Sequence, residues 1–203
     1  MNLHNFSDKQ LMVLFRHGRA EAFDLLFARH RQKIFALCWR LTGRREDAEE
    51  ALQETFLRVA RAAPGYQPTA QWSTWLHRIA VNVCLNHHRR QTHAPQVISL
   101  DAARPSPTAH HGVVHDDPLD KIQAQETGLA LQDALQTLPA PWRAAFVLRV
   151  FEDMGYSQIA QTLDIAPGTA KTHVHRARAA LRRRLKPILQ APCGPTTNPK
   201  VLP

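Results

Sequence analysis

Hydrophobic residues recur at three- and four-residue spacings in two separate stretches of the chain, which is the pattern of amphipathic helices. In the first stretch this pattern runs from Phe23 to Leu41 and stops at Gly43, which predicts a long helix ended by glycine. Ser7 and Gln10 predict a capping box at the start of an earlier helix. The chain is therefore predicted to be all-α.

A third helix of the first stretch begins with acidic residues and has Arg58 and Arg61 near its end, as the helix dipole favours. One of its faces is a mostly charged strip with one leucine, made of Glu50, Gln53, Glu54, Leu57 and Arg61. Such a strip is either a docking surface or an ordinary solvated face with a stray leucine. The residues alone favour the ordinary solvated face.

The fourth helix is predicted to begin at a Ser73 cap, after a loop that carries Tyr66 and Trp72. A polar and cationic stripe on this helix is formed by Arg78, Asn82, Asn86 and Arg89. Cations beside aromatic rings can hold single-stranded nucleic acid. The alternative is that the tryptophans of this region fix the loop from the core, and we expect this of at least one of them.

The second stretch predicts a helix-turn-helix, in which Ser157 caps a short helix, Asp164 makes the turn and Pro167 opens a longer helix. The helix before it is predicted to begin at Pro141, with Val150 in its apolar stripe. The longer helix is expected to read a DNA groove and contact phosphates through Lys171, Thr172, His173, His175, Arg176, Arg178 and Arg182.

Charge supports a polyanionic partner. The 203 residues include 26 Lys and Arg against 17 Asp and Glu, a formal net charge of +9. Residues 171–186 hold seven basic side chains and no acidic one. A basic block alone is most often a solvated helix face, but inside a helix-turn-helix it indicates DNA binding. The chain has no apolar run long enough for a bilayer and no secretory signal pattern, so we expect it in the cytoplasm.

Proline-rich composition divides the chain. We predict two small helical domains joined by a flexible linker, with a disordered tail, at 1–92, 93–124 (linker), 125–188 and 189–203 (tail). The three cysteines, Cys38, Cys84 and Cys193, are scattered, which argues against a disulfide framework.

Two other classes of function compete with these interpretations. An enzyme or metal sensor would have to use Cys84 with His87 and His88, or the linker histidines His110, His111 and His115. No spacing among them matches a zinc site, so we predict no metal and no cofactor. The second alternative is a DNA-binding regulator that uses the helix-turn-helix alone, with the first domain as sensor or dimerisation domain.

Three segments resemble bacterial RNA polymerase sigma factors of the extracytoplasmic-function (ECF) group. DAEEALQETFLRVAR resembles the family's polymerase-binding helix, and STWLHRIAVN resembles its promoter-melting helix. LPAPWRAAFVLRVFEDMGYSQIAQTLDIAPGTAKTHVHRAR resembles the domain that reads the upstream promoter element. The resemblance implies a promoter-specificity subunit without catalysis or a small-molecule substrate of its own, and an anti-sigma protein as a further partner.

The resemblance also implies roles for individual residues. The clamp of the polymerase's largest subunit would be contacted by Asp47, Glu50, Gln53, Glu54, Leu57 and Arg61. A flipped base of the downstream element, about ten base pairs before the start site, would be captured by the loop with Tyr66 and Trp72 and by Arg78, Asn82, Asn86 and Arg89. The helix-turn-helix residues named above would read the upstream element, near thirty-five base pairs before the start.

This chain departs from the family's pattern in both promoter-reading segments. Tyr66-Gln67-Pro68 stands where Phe-Arg-Gly is usual, and Ala166 replaces the usual capping serine. We therefore expect an altered base preference. In the linker, the acidic residues Asp101, Asp116, Asp117 and Asp120 either follow surfaces of the polymerase meant for RNA or keep a passive tether in solution.

Overall fold

The computed structural model describes residues 3–67, 71–93 and 128–189. Within these ranges the long elements are all α-helices: α1 (Asp8–Arg16), α2 (Ala20–Thr42), α3 (Arg45–Ala62), α4 (Trp72–His93), α5 (described over 128–136), α6 (Ala140–Val150), α7 (Tyr156–Leu163) and α8 (Pro167–Leu189). Short 3₁₀ turns lie at Leu3–Asn5 and Ala63–Gly65. The predicted all-α class is confirmed. Apart from residues 93 and 189, the predicted linker and tail lie outside the described residues.

Helix boundaries in the first domain follow local chemistry. The Ser7 N–H donates to Gln10 Oε1 at 2.9 Å, and the Gln10 N–H donates back to Ser7 Oγ at 3.4 Å, so the predicted capping box is present. Helix α2 ends at Gly43, whose φ of 83° is accessible to glycine without strain. These two local predictions are confirmed.

Helix α2 is the centre of the first domain, because α1, α3 and α4 all pack against it. Its buried side chains include Leu26, Ile34 and Leu37. Two cysteines, Cys38 and Cys84, are also buried. A hydrogen bond with the Cys84 thiol, together with burial, raises the pKa of Cys38 well above its usual value. Both cysteines are therefore core residues.

The second domain packs α6 and α7 against α8, and α7 with α8 forms the predicted helix-turn-helix. Asp164 closes the turn with a φ of 56°, a left-handed conformation that aspartate tolerates. The inner face of α8 is buried at Ala170, Val174, Ala177 and Leu181. Small side chains at the crossing allow the two helices to approach closely.

Two predicted serine caps were each wrong by two positions. Helix α4 begins at Trp72, so Ser73 lies in its first turn. Helix α7 begins at Tyr156 with Gly155 as its N-cap, and the Gly155 N–H donates to Gln158 Oε1 at 2.9 Å. Because that glutamine side chain satisfies the exposed N–H at the helix start, the helix begins two residues earlier than a Ser157 cap would place it.

Two expectations for α6 also differ from the structure. Pro141 is its second residue, after Ala140, which still places a proline where its missing N–H costs no helical hydrogen bond. Val150 is 45% exposed rather than part of the buried stripe. It is the last residue of the helix.

The two domains are in contact. Gln132 Nε2 donates to the Trp39 carbonyl at 2.7 Å, and Gln136 Nε2 donates to the Arg40 carbonyl at 3.1 Å. Both carbonyls lie in the last turn of α2, and the Trp39 carbonyl also accepts the Gly43 N–H at 2.9 Å. The Arg40 guanidinium also lies 4.1 Å from the centroid of the Phe151 ring. Side chains of the second domain thus complete the end of a helix in the first.

Candidate nucleic-acid and protein interfaces

The strip on α3 is exposed where the sequence predicted it. Leu57 is 51% exposed, and Glu50, Gln53 and Arg61 also lie on the surface. The opposite face is buried through Ala48, Ala51, Thr55, Phe56 and Val59. An exposed leucine among charged side chains is therefore a real feature of the surface.

Ion pairs hold parts of this strip in place. Arg58 Nε donates to Glu54 Oε1 at 2.7 Å, and this hydrogen bond lowers the pKa of Glu54. His87 of α4 lies 3.4 Å from a Glu50 oxygen and 4.0 Å from an Asp47 oxygen. Asp47 is consequently half-buried, and it faces α4 more than solvent.

A shallow groove separates the strip on α3 from the polar stripe on α4. Its walls are Glu50, Glu54 and Arg58 on one side and Asn86, His87 and Arg90 on the other. The four predicted stripe residues, Arg78, Asn82, Asn86 and Arg89, are all exposed. The first domain thus presents two adjoining polar surfaces on neighbouring helices.

The aromatic residues at the ends of the loop before α4 lie in the core. Tyr66 is 5% exposed and Trp72 is 3% exposed, and their ring centroids are 5.9 Å apart. Trp75 packs against both, at centroid distances of 5.1 and 5.2 Å. Burial and the charge of Asp8 raise the pKa of Tyr66. The alternative that a tryptophan fixes the loop from the core is confirmed for Trp72.

Three polar residues near this loop were missed by the sequence analysis. Trp72 Nε1 lies 3.2 Å from His30 Nε2, which lies 2.8 Å from Asp8 Oδ2, and Arg16 Nη1 donates to the Tyr66 carbonyl at 3.2 Å. The partners are far apart in sequence, and none belongs to a local motif. No sequence signal could have paired them without the fold.

The recognition helix α8 exposes six of the seven predicted residues: Lys171, Thr172, His175, Arg176, Arg178 and Arg182. His173 is half-buried, and burial together with the charge of Arg176 lowers its pKa, so the neutral ring is favoured. The Thr172 hydroxyl donates to the Gly168 carbonyl at 2.9 Å. The Arg176 guanidinium lies 5.6 Å from the centroid of the Trp142 ring, a cation–π contact that orients it.

Within the described ranges, no three His, Cys, Asp or Glu side chains are arranged to hold a metal ion. Of the candidates for such a site, Cys84 packs in the core and His87 faces the acidic residues of α3. The linker histidines lie outside the described residues. None of the described helices has the length and hydrophobicity needed to cross a bilayer.

The chain matches two known protein families in order. Residues 26–94 match Sigma-70 region 2, and residues 128–181 match Sigma-70 region 4. The two helical domains are therefore those of a Sigma-70-type protein, and the helix-turn-helix lies in region 4.

Whole-chain relatives define the group more closely. The ECF RNA polymerase sigma factor SigM of Mycobacterium tuberculosis is 38% identical over 183 residues, which cover 90% of this chain and 86% of the relative. SigW of Bacillus subtilis, also an ECF RNA polymerase sigma factor, is 29% identical over 175 residues, covering 85% of this chain and 94% of the relative.

Solved structures share the fold. CnrH, solved in complex with the cytosolic domain of CnrY, has a TM-score of 0.62 at 21% identity, covering 89% of this chain and 97% of CnrH. The sigma factor RpoE of Bartonella quintana, solved with the anti-sigma factor NepR, has a TM-score of 0.61 at 23% identity, covering 81% and 96%.

The chain belongs to the ECF RNA polymerase sigma factors. It binds core RNA polymerase and promoter DNA, and it directs transcription initiation at specific promoters. This identity excludes the alternative of a regulator that uses the helix-turn-helix without polymerase.

Proposed function

We propose that the strip on α3 is the polymerase-binding surface, with Leu57 as its apolar anchor. The observation that carries this assignment is the 51% exposure of Leu57 on a helix whose other face is fully packed. A leucine gains most from leaving water when it enters a partner's pocket, and the charged residues around it set the orientation of docking. Asp47 would support the strip through its contact with His87, and it would contact the polymerase only at the edge of the interface.

A leucine substitution tests this assignment. Leu57→Ser in the full chain should weaken binding to core RNA polymerase by about tenfold or more, the usual cost of losing an anchor residue. Leu129→Ser is the matched control, because Leu129 is also an exposed leucine, at 38%, but lies on α5. Affinity is measured by titrating labelled sigma factor with core enzyme. Equal affinities of the two variants would remove α3 from the polymerase interface.

We further propose that the loop before α4 and the α4 stripe capture an extruded base of the downstream promoter element. Exposed arginines and asparagines on one helix offer both phosphate contacts and hydrogen bonds to base edges. Because Tyr66 and Trp72 are buried, they would shape this surface, and the exposed residues Arg78, Asn82, Asn86 and Arg89 would make the direct contacts.

For the upstream element, we propose that α8 enters the major groove. Lys171, His175 and Arg176 would contact base edges from its N-terminal half, while Arg178 and Arg182 would contact phosphates. The Thr172 hydroxyl donates its hydrogen bond to the Gly168 carbonyl. Toward DNA, Thr172 would therefore act as a hydrogen-bond acceptor or through its methyl group. His173 would support the helix more than read a base.

The proposal extends to partners and place of action. The sigma factor contributes specificity and no catalysis, and it works where the polymerase is, in the cytoplasm. Complexes of CnrH with CnrY and of RpoE with NepR support an anti-sigma protein as a further partner of this chain. Such a partner would compete for the polymerase-binding and promoter-binding surfaces.

A further inference from the structure

Helix α1 precedes the Sigma-70 region 2 match at residues 26–94, yet its polar side chains reach the loop before α4. At the start of that loop, Arg16 Nη1 donates to the Tyr66 carbonyl at 3.2 Å. A guanidinium bound to a main-chain carbonyl fixes the backbone itself, whatever the side chain at that position. One end of α1 thus holds the residue where the chain enters the loop.

The other end of α1 reaches the residue where the chain leaves the loop. His30 Nε2 lies 2.8 Å from Asp8 Oδ2 and 3.2 Å from Trp72 Nε1. Arg29 Nη1 donates to the other Asp8 oxygen at 2.9 Å, which fixes the carboxylate. One ring nitrogen cannot accept from the indole and donate to the carboxylate at once, so the two hydrogen bonds alternate. The His30 and Trp72 rings also pack against each other, with centroids 6.1 Å apart, so the imidazole that Asp8 binds still positions the indole.

Tyr66 and Trp72, the residues at the two ends of the loop, are both buried, and their rings pack against each other. A small shift of either one is therefore passed to the other and to the first turn of α4. That turn leads directly to Arg78 and Asn82, which the proposed function assigns to the downstream element. A base pocket discriminates between bases only when its hydrogen-bonding groups are held in the correct positions, since a misplaced donor loses its hydrogen bond to the correct base.

We propose that α1 is a brace for promoter reading, with Arg16 and the Asp8–His30 pair as positioning residues for base discrimination in the downstream element. The inference rests on the proposed function of the loop and α4. Arg16 acts through the Tyr66 backbone, and Asp8 acts through His30 on Trp72. None of these side chains is required to touch DNA.

The test uses the full-length variants with core RNA polymerase and a pool of promoters randomised in the downstream element, whose transcripts are sequenced. Arg16→Gln and Trp72→Phe should each reduce the preference for the best base by about three- to tenfold, the range of one hydrogen bond. Trp72→Phe keeps an aromatic ring in the core but removes the second ring of the indole together with its N–H donor. Arg16→Lys keeps a charged donor with a longer reach than the glutamine amide, so it should retain the preference.

Two further variants make the result decisive. Arg31→Gln is the control for charge, because Arg31 is an exposed arginine on α2 next to His30. It should leave the preference unchanged. The double variant Asn82→Ala with Arg78→Ala tests the reading surface itself.

If the Asn82/Arg78 variant changes the preference and the Arg16 and Trp72 variants do not, the brace is wrong and the proposed function stands. If the Asn82/Arg78 variant also leaves the preference unchanged, the proposed function of α4 fails, and the brace fails with it. A general loss of transcription with the same base preference would also overturn the brace, since it would indicate a purely structural role.

Discussion

His77 of α4 and Glu152, which follows α6, face each other across the boundary between the two domains. His77 Nε2 lies 3.0 Å from Glu152 Oε2, and both side chains are nearly buried. The other ring nitrogen, Nδ1, lies 2.5 Å from the Ser73 carbonyl. Both nitrogens therefore face oxygen atoms that can accept a hydrogen bond. The contact fixes the second domain against the first turns of the proposed promoter-melting helix.

This contact predicts the behaviour of a glutamate variant. Glu152→Ala should lower the free energy of unfolding by about 1–3 kcal/mol, because it leaves a buried donor of His77 without its partner. Glu152→Gln keeps an acceptor oxygen and should lower the free energy of unfolding by less than Glu152→Ala does. The measurement is urea unfolding of the full chain, followed by small-angle scattering to detect separated domains. If both variants behave like the original protein, the contact does not hold the domains together.

The same contact also bears on promoter binding. The proposed positions of the two promoter elements, about ten and thirty-five base pairs before the start site, differ by about 25 base pairs, or roughly 85 Å of duplex at 3.4 Å per base pair. Domains that touch each other would not span this distance. If the proposed function is right, the contacts of Gln132, Gln136 and Glu152 with the first domain therefore break when both elements are bound.

A glycine comparison predicts how much the domain contact contributes to stability. Gly43 and Gly18 have φ angles of 83° and 89°, so alanine at either position introduces about 1–2 kcal/mol of backbone strain. Gly18 has open space around it, whereas a Cβ at Gly43 would lie 2.5 Å from the Gln136 side chain. Displacing Gln136 breaks its hydrogen bond to the Arg40 carbonyl.

Gly43→Ala should consequently destabilise the chain by about 1 kcal/mol more than Gly18→Ala, the worth of one hydrogen bond. Thermal and urea unfolding of both variants measure the difference. In a Gln136→Ala background, the destabilisation caused by Gly43→Ala should lose its steric contribution. The double variant is therefore compared with Gln136→Ala alone. Equal destabilisation by the two glycine variants would show that Gln136 moves aside without cost.

Salt dependence tests the phosphate contacts assigned to α8. If Arg182 contacts a phosphate, Arg182→Gln should flatten the slope of log affinity against log salt concentration by about 0.9 on duplex DNA. Arg31→Gln removes the same charge from the first domain, and it should change the slope less. Filter binding or fluorescence titration over a range of salt concentrations gives both slopes. A slope unchanged by Arg182→Gln would place this arginine in solvent.

Features set by neighbouring residues were predictable from the sequence. The capping box at Ser7, the glycine that ends α2 and the left-handed turn residue Asp164 all act within a few residues of the chain. The strip on α3 and the face of α8 followed from the helical period, since burial of one face fixes the exposure of the other. The serine caps failed because neighbouring residues can satisfy the same N–H groups, so helix starts shift easily.

Tertiary structure alone decided which distant residues meet. Trp72 reaches His30 across 42 positions, and His77 reaches Glu152 across 75. These pairings depend on how α1, α2 and the second domain pack around α4, and packing is set by the whole core rather than by local pattern. For the same reason the sequence could place Tyr66 and Trp72 at the loop before α4, but only the fold showed that both rings are buried and that residues of α1 contact both ends of the loop.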